Sequence, residues 1–319
     1  MKKIRNMVAL SLALAMVLGN TAFASEATTE QGTKTLNITS EEATDGQVVT
    51  QEVMGALEDD VDVAEETTVS ANDAAIAATA ADVLTGGKFE YNMSSELSRF
   101  VQLGYAVNQD GGPFSITKGV LKTNGWWIFG SSKQVYVVAL SGTDCETKNQ
   151  TTGYFTDLLS GFDLDNKYAQ NVKKTMLRNI PAGSNIILTG HSLGGMVAQQ
   201  VAADSKIKSS YNVLNTVTFG SPLLSQLRRE GTVKRLGDTN DIVPYLSVNT
   251  FTNVIWQVAG LNRENGGYGT NLLGAHCESY NRDDVWGAYD VTGSKNGNQS
   301  LVLDFSTTAF YHSPVTVTE

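Results

Sequence analysis

The sequence holds two cysteines in 319 residues, and neither precedes position 145. No thiol therefore stands near the N-terminus to carry a lipid anchor. Histidines are almost as scarce, with three at positions 191, 276 and 312. Any imidazole chemistry must draw on those three. Positive charge is in deficit, the formal net charge being −10. Nothing in that balance suggests a nucleic-acid partner. Residues 25–88 contain no aromatic side chain, and no internal repeat runs through the chain.

The negative charge is concentrated in one place. Residues 1–24 carry Lys2, Lys3 and Arg5 and no acid, so +3. Residues 25–88 carry 14 acidic side chains against Lys34 and Lys88, so −12, and residues 89–319 are nearly neutral at −1. The first 24 residues read as a secretory leader: a charged start, an apolar core from Met7 to Leu18, and Ala22-Phe23-Ala24 as the small-x-small cleavage site. That apolar run is too short to span a bilayer comfortably. The mature protein is therefore expected outside a bacterial cell, cleaved near Ala24. Residues 25–88 have too few core-forming side chains to offset their ordering entropy. They are expected to be a disordered propeptide or linker, with Ala74–Leu84 as a candidate helix. Residues 89–319 are the expected folded domain.

What is present centres on Ile186-Ile187-Leu188-Thr189-Gly190-His191-Ser192-Leu193-Gly194-Gly195. An apolar run ends in Gly-His-Ser-Leu-Gly, and Met196, Val197, Val201 and Ala202 follow at helical spacing. Strand, sharp turn, helix is the context in which Gly-x-Ser-x-Gly marks an exposed nucleophile. Around it, apolar and polar stretches alternate. Met93 to Tyr105 predicts a helix with Ser94 or Ser95 as cap. Phe114–Lys122, Trp126–Phe129 and Gln134–Leu140 predict strands, with Asn124-Gly125 as a hairpin signal. A helix is expected over Asn166–Ile180. Further strands are expected at Val213–Phe219, Val233–Leu236 and Phe251–Ala259, and a loop over Gly260–Gly274 that leads to His276. Alternating strands and helices predict an α/β class with a mostly parallel central sheet. Ligands in such sheets bind beyond the carboxyl ends of the strands.

A serine hydroxyl needs a base to take its proton. His276, in a loop after the last expected strand, is the preferred base, and His312 near the C-terminus is the alternative. His191 adjoins the serine and reads as a packing residue. The acid that orients the base is expected to be Asp241, just past a strand end, with Asp238 as runner-up. Oxyanion donors are expected from the Leu193 amide and from the turn Gly142-Thr143. The order Ser192, Asp241, His276 is that of α/β-hydrolases.

These residues resemble the class 3 (fungal-type, triacylglycerol lipase-like) family over about residues 90–290. Val137 to Thr143 looks like that family's strand ending in Arg-Gly-Thr/Ser. Phe155-Thr156-Asp157-Leu158 looks like its Trp-x-x-Asp-Leu. The Gly190–Gly195 run is similar to its elbow, Phe219-Gly220-Ser221-Pro222 to its Phe-Gly-x-Pro, and Asp241-Ile242-Val243-Pro244 to its acid motif. His276 to Tyr280 is similar to its His-x-x-x-Tyr block. The resemblance implies an α/β-hydrolase fold and a secreted esterase or lipase. It implies Ser192 as nucleophile, His276 as base, Asp241 as orienter, and Thr143 and Leu193 as oxyanion donors. Neither metal nor cofactor is implied.

Ser141 stands where the family carries Arg, and the usual His-x-Gly-Phe element is missing between Asp157 and Ser192. The lid position, residues 144–156, is mostly polar, with Tyr154 and Phe155 as its large apolar side chains and as pocket candidates. Such a lid points to short- or medium-chain esters and to loose contact with lipid interfaces. A feruloyl- or acetyl-type carbohydrate esterase is the alternative enzyme. A catalytically silent binding protein on the same scaffold is the alternative of another class. Cys145 follows Thr143 by two residues and Cys277 follows His276 directly. If both loops converge on Ser192, the pair is placed for a disulfide, with two unpaired thiols as the alternative.

Overall fold

The computed structural model describes residues 47–48, 50–51, 54, 71–106, 114–125, 130–142, 167–223, 229–245 and 261–313. Nine strands are present among them: Gln47–Val48 (β1), Lys88–Tyr91 (β2), Phe114–Thr123 (β3), Ser131–Leu140 (β4), Asn185–His191 (β5), Asn212–Phe219 (β6), Thr232–Asp238 (β7), Leu261–Glu264 (β8) and Gln299–His312 (β9). The helices are Ala71–Thr85 (α1), Ser94–Gln102 (α2), Lys167–Asn179 (α3), Leu193–Ala203 (α4), Ser205–Ser210 (α5), Leu272–Cys277 (α6) and Asp283–Trp286 (α7).

The strands form one sheet in the order β1-β9-β3-β4-β5-β6-β7-β8, with β2 also on β9. The run from β4 to β8 is parallel throughout. The other half is antiparallel. The sheet is thus mixed, and its parallel character belongs to the half that carries the elbow. The expected hairpin joins β3 to β4, in register from Phe114↔Leu140 to Thr123↔Ser131.

Side chains on a strand alternate between faces, and here both faces are covered. Val137, Ala139, Ile187, Val217 and Phe219 lie in one core with Leu97, Phe100 and Val101 of α2. Val138, Leu140, Ile186 and Leu188 lie in the other, against Val172 and Met176 of α3 and Val197 and Val201 of α4. The sheet is the middle of three layers. Each such side chain, fully buried, contributes about 1.5–3 kcal/mol relative to exposure.

Three expectations need correction, and one element was not foreseen. The segment 25–88 is not wholly outside the fold. Helix α1 buries Ala80 and Val83 in the first core, and β2 begins at Lys88. One compact unit spans residues 40–315. Ser94 and Ser95 do not cap α2, whose N-cap is Met93. The Glu96 carboxylate accepts from the amides of Asn92 and Met93 at 2.6 and 2.9 Å. The Ser94 hydroxyl instead donates to the Asp290 carbonyl and that of Ser95 to Asp283. The stretch 260–274 is not all loop, because Leu261–Glu264 pairs with β7 as an edge strand. Beyond His276, where the sequence suggests no element, β9 supplies Leu301, Leu303 and Phe305 to the core. The expected strands at 126–129 and 251–259 lie outside the described residues.

Candidate active site

Every strand from β4 to β7 ends next to a candidate residue. Ser141-Gly142 follows β4, Ser192 follows β5, Gly220 follows β6, and Asp241 lies three residues beyond β7. Parallel pairing brings those ends to one edge of the sheet, where ligands of open α/β sheets bind.

Ser192 occupies the apex of the turn with φ 55° and ψ −123°. That backbone is rare for a residue with a Cβ and costs about 1–3 kcal/mol. The surroundings impose it. The Ser192 amide donates to the Phe219 carbonyl at 2.9 Å. Its own carbonyl accepts from Gly195 and Met196 in the first turn of α4 at 3.1 and 3.2 Å. The neighbouring glycines permit the turn by close approach. A Cβ on Gly194 would collide with the Leu140 carbonyl, and one on Gly190 with the backbone of Gly194. Leu193 opens α4, so its amide is one of the first-turn donors with no carbonyl of the same helix to bond. The helix dipole adds positive potential there.

His276 lies on α6 rather than in a loop. The Asn271 side chain caps that helix by accepting from the Gly274 amide at 3.0 Å. The His276 Nδ1 is 2.8 Å from Asp241 Oδ2, and both side chains are 0% exposed. The Tyr280 hydroxyl donates to that same Oδ2 at 2.6 Å, and the Val243 amide donates to Oδ1 at 2.8 Å. Burial and the adjacent Asp241 charge push the Tyr280 phenol well above its usual range, so it remains a donor.

Asp238 is placed differently. Its carboxylate accepts from the Ser279 hydroxyl and from the amides of Gly266 and Asn240. It braces the loop that leads to α6 and does not face the imidazole. Gly220, at φ +56°, lets the β6 end pass the pair. A Cβ there would stand 2.9 Å from Asp241 Oδ2 and 3.0 Å from His276 Cε1.

On the other side, an ideal Cβ on Gly142 would stand 2.9 Å from the Ser192 Cβ. The strand end that precedes Thr143 therefore abuts the elbow. Thr143 itself, Cys145, Tyr154 and Phe155 lie outside the described residues. His312 ends β9, which is separated from β5 by β3 and β4. Three strand spacings amount to about 14 Å, too far for a base serving Ser192.

One buried cation went unremarked in the sequence because a lone arginine inside a strand carries no motif. Arg235 on β7 is 2% exposed. It donates to the Ser221 carbonyl at 3.1 Å and the Pro244 carbonyl at 2.7 Å. Burial, with Arg229 nearby, lowers its pKa to about 9. It stitches the turn after β6 to the turn after Asp241.

Residues 130–251 match the class 3 lipase family model. That stretch holds β4, the elbow, Ser192 and Asp241 in the order just described. That stretch is a class 3 lipase domain by its match. No curated protein and no solved structure gives a significant match. The mixed sheet with helices on both faces is the α/β-hydrolase fold of these lipases, and the family's activity is ester hydrolysis.

Within this matched domain, Ser141 is 1% exposed and makes no ion pair at the position where the family carries Arg. Its hydroxyl donates to the Val101 carbonyl at 2.8 Å, and its carbonyl accepts from the Tyr168 hydroxyl at 2.9 Å. Neutral hydrogen bonds to α2 and α3 thus hold the strand end. Cys277 closes α6 beside the candidate base and is not a free thiol.

Proposed function

We propose that this protein is an exported serine hydrolase of the class 3 lipase type that cleaves carboxylic esters of the acylglycerol type through an acyl-enzyme on Ser192. The observation that carries this reading is the buried 2.8 Å contact of His276 Nδ1 with Asp241 Oδ2, on a residue whose carbonyl is 2.8 Å from the ring of His191, directly before a serine held at φ 55°. In this mechanism His276 removes the Ser192 proton as Oγ attacks the ester carbonyl. Asp241 holds the imidazole with its Nδ1–H inward and balances the imidazolium that forms. The Leu193 amide and Thr143 donate to the oxyanion. The imidazolium then protonates the leaving alcohol. Water, deprotonated by His276, releases the acid and restores the serine.

The mostly polar stretch 144–156 supports short or medium acyl chains and only loose contact with a lipid interface. The charged and then apolar residues 1–24 support export. A Cys145–Cys277 bridge belongs to the same reading. It is supported by Cys277 not being a free thiol and by Cys145 being the one other cysteine of the sequence. Intact mass after alkylation under denaturing, non-reducing conditions tests the bridge, and two alkylated thiols rule it out.

The activity test is hydrolysis across a chain-length series of p-nitrophenyl esters, with fluorophosphonate labelling followed by peptide mapping. Labelling at Ser192 and faster cleavage of short and medium acyl chains are expected. An unlabelled serine overturns the nucleophile. A preference for feruloyl or acetyl groups on sugars moves the substrate to carbohydrate esters.

A further inference from the structure

We propose that Tyr105 and His191 form a positioning chain that ties the backbone of the base to the strand end preceding the oxyanion turn. The proposal rests on the ester-hydrolase reading above. Tyr105 lies in the 3₁₀ turn Leu103–Ala106 that follows α2. Its hydroxyl is 2.7 Å from His191 Nδ1 and accepts from the Gly142 amide at 2.9 Å. On the other side of the ring, His191 Nε2 is 2.8 Å from the His276 carbonyl oxygen.

Proton accounting gives this chain one direction. A carbonyl only accepts, so Nε2 carries the hydrogen. The neutral ring then accepts at Nδ1, the Tyr105 hydroxyl donates to it, and the phenol oxygen is left to accept from Gly142 N–H. Burial, with His276 close by, keeps the imidazole neutral. The sequence runs Gly142 N–H to Tyr105 O–H to His191 Nδ1, and His191 Nε2–H to the His276 carbonyl. No member has its role reversed.

Both ends of the chain fall on backbone at the reacting groups. His276 lies in the last turn of α6, where carbonyls lack donors from their own helix. His191 supplies that donor from the residue directly before the nucleophile. Gly142 lies against Ser192 at the other end. The rings are held by packing as well, with His191 and His276 centroids 4.7 Å apart and Tyr105 edge-on to His191 at 5.8 Å. A residue that only filled space would need none of these directed bonds. The chain fixes the distance between base and oxyanion turn from behind the serine, without touching substrate.

The test uses the full chain and three variants. Tyr105→Phe removes one hydroxyl and keeps the ring. His191→Gln keeps an N–H donor at the reach of Nε2, whereas His191→Leu keeps only volume. On a p-nitrophenyl ester, Tyr105→Phe should lower kcat about 10- to 100-fold with KM within about twofold, since a displacement near 1 Å can cost 10²-fold. His191→Gln should keep at least about tenfold more kcat than His191→Leu on the same ground. A second readout is independent of turnover: solvent exchange of the His276 Nδ1–H proton by NMR should quicken in Tyr105→Phe. Full kcat in Tyr105→Phe, or equal losses in the two His191 variants, overturns the chain. If the unaltered protein cleaves no ester, the hydrolase reading fails, and unchanged proton exchange then overturns the chain separately.

Discussion

Tyr280 and His276 share one oxygen. Asp241 Oδ2 accepts from the Tyr280 hydroxyl at 2.6 Å and faces His276 Nδ1 at 2.8 Å. The tyrosine hydroxyl also accepts from the Asp238 amide at 3.0 Å, so it is anchored on two sides. A carboxylate with one oxygen so held cannot swing away from the imidazole. Tyr280→Phe removes a bond to a charged group, worth about 1.5–3 kcal/mol. If half of that is felt in the transition state, kcat falls roughly tenfold. Steady-state kinetics with a saturating ester measure it, and kcat within twofold of the parent speaks against the role.

The strained serine separates stability from activity. Ser192→Ala removes the nucleophile but leaves a Cβ at φ 55°, so its stability should match the parent. Ser192→Gly removes both, and should raise stability by about 1 kcal/mol while activity is lost. Both should lower kcat by several orders of magnitude, as loss of a nucleophile does. Urea midpoints and ester hydrolysis give the comparison. A glycine variant no more stable than the alanine variant would show that the turn stores no strain.

Gly220 is a space requirement as well as a backbone one. Its φ is +56°, and a Cβ would press on Asp241 Oδ2 and His276 Cε1. Gly220→Ala should therefore lower kcat by at least about tenfold, through displacement of the pair, and destabilise by about 1 kcal/mol or more. Kinetics and urea melts of the purified variant decide. Parental kcat would mean that the loop moves aside freely.

Acid should weaken the fold through His191. Its folded pKa is well below the ordinary 6.5, first because it is buried and then because His276 is near. The unfolded chain takes up that proton near 6.5. Below that pH the unfolded state binds more protons, so stability falls as pH falls, by up to about 1.4 kcal/mol per unit. Above it the contribution is flat. Urea midpoints between pH 7.5 and 5 should drop more steeply for the parent than for His191→Gln, allowing about 1.4 kcal/mol per unit for the group removed. Equal slopes would assign the acid sensitivity elsewhere.

Helix α1 belongs to the folded unit. Val83 is 1% exposed and packs in the core that also holds Leu97 and Phe100. Val83→Ala should cost about 1–3 kcal/mol. Deletion of residues 71–85 should cost more and expose that core. Urea denaturation measures both. An unchanged midpoint for the deletion would return α1 to the linker.

The sequence by itself determined the parts whose physics is local. Strands β4 to β6 follow from short apolar runs that end in turn residues, and α4 from apolar positions at helical spacing after the elbow. The elbow follows from glycines spaced to let strand and helix touch. Ser192 and Asp241 stood out because each lies just past a strand, and His276 because the chain has only three histidines. The tertiary structure decided what depends on distant partners. Helix α1 is alanine-rich and weakly amphipathic, so only the surface it meets makes Ala80 and Val83 core residues. Strand β8 is short and polar, as an edge strand can afford to be, and therefore reads as loop. The choice of Asp241 over Asp238 turned on which carboxylate reached the imidazole and which was taken up by Ser279 and Gly266. Tyr105 and His191 meet across 86 residues, and His191 and His276 across 85. No local pattern encodes such a contact, because its energy arises only when the sheet has brought both strand ends to the same edge.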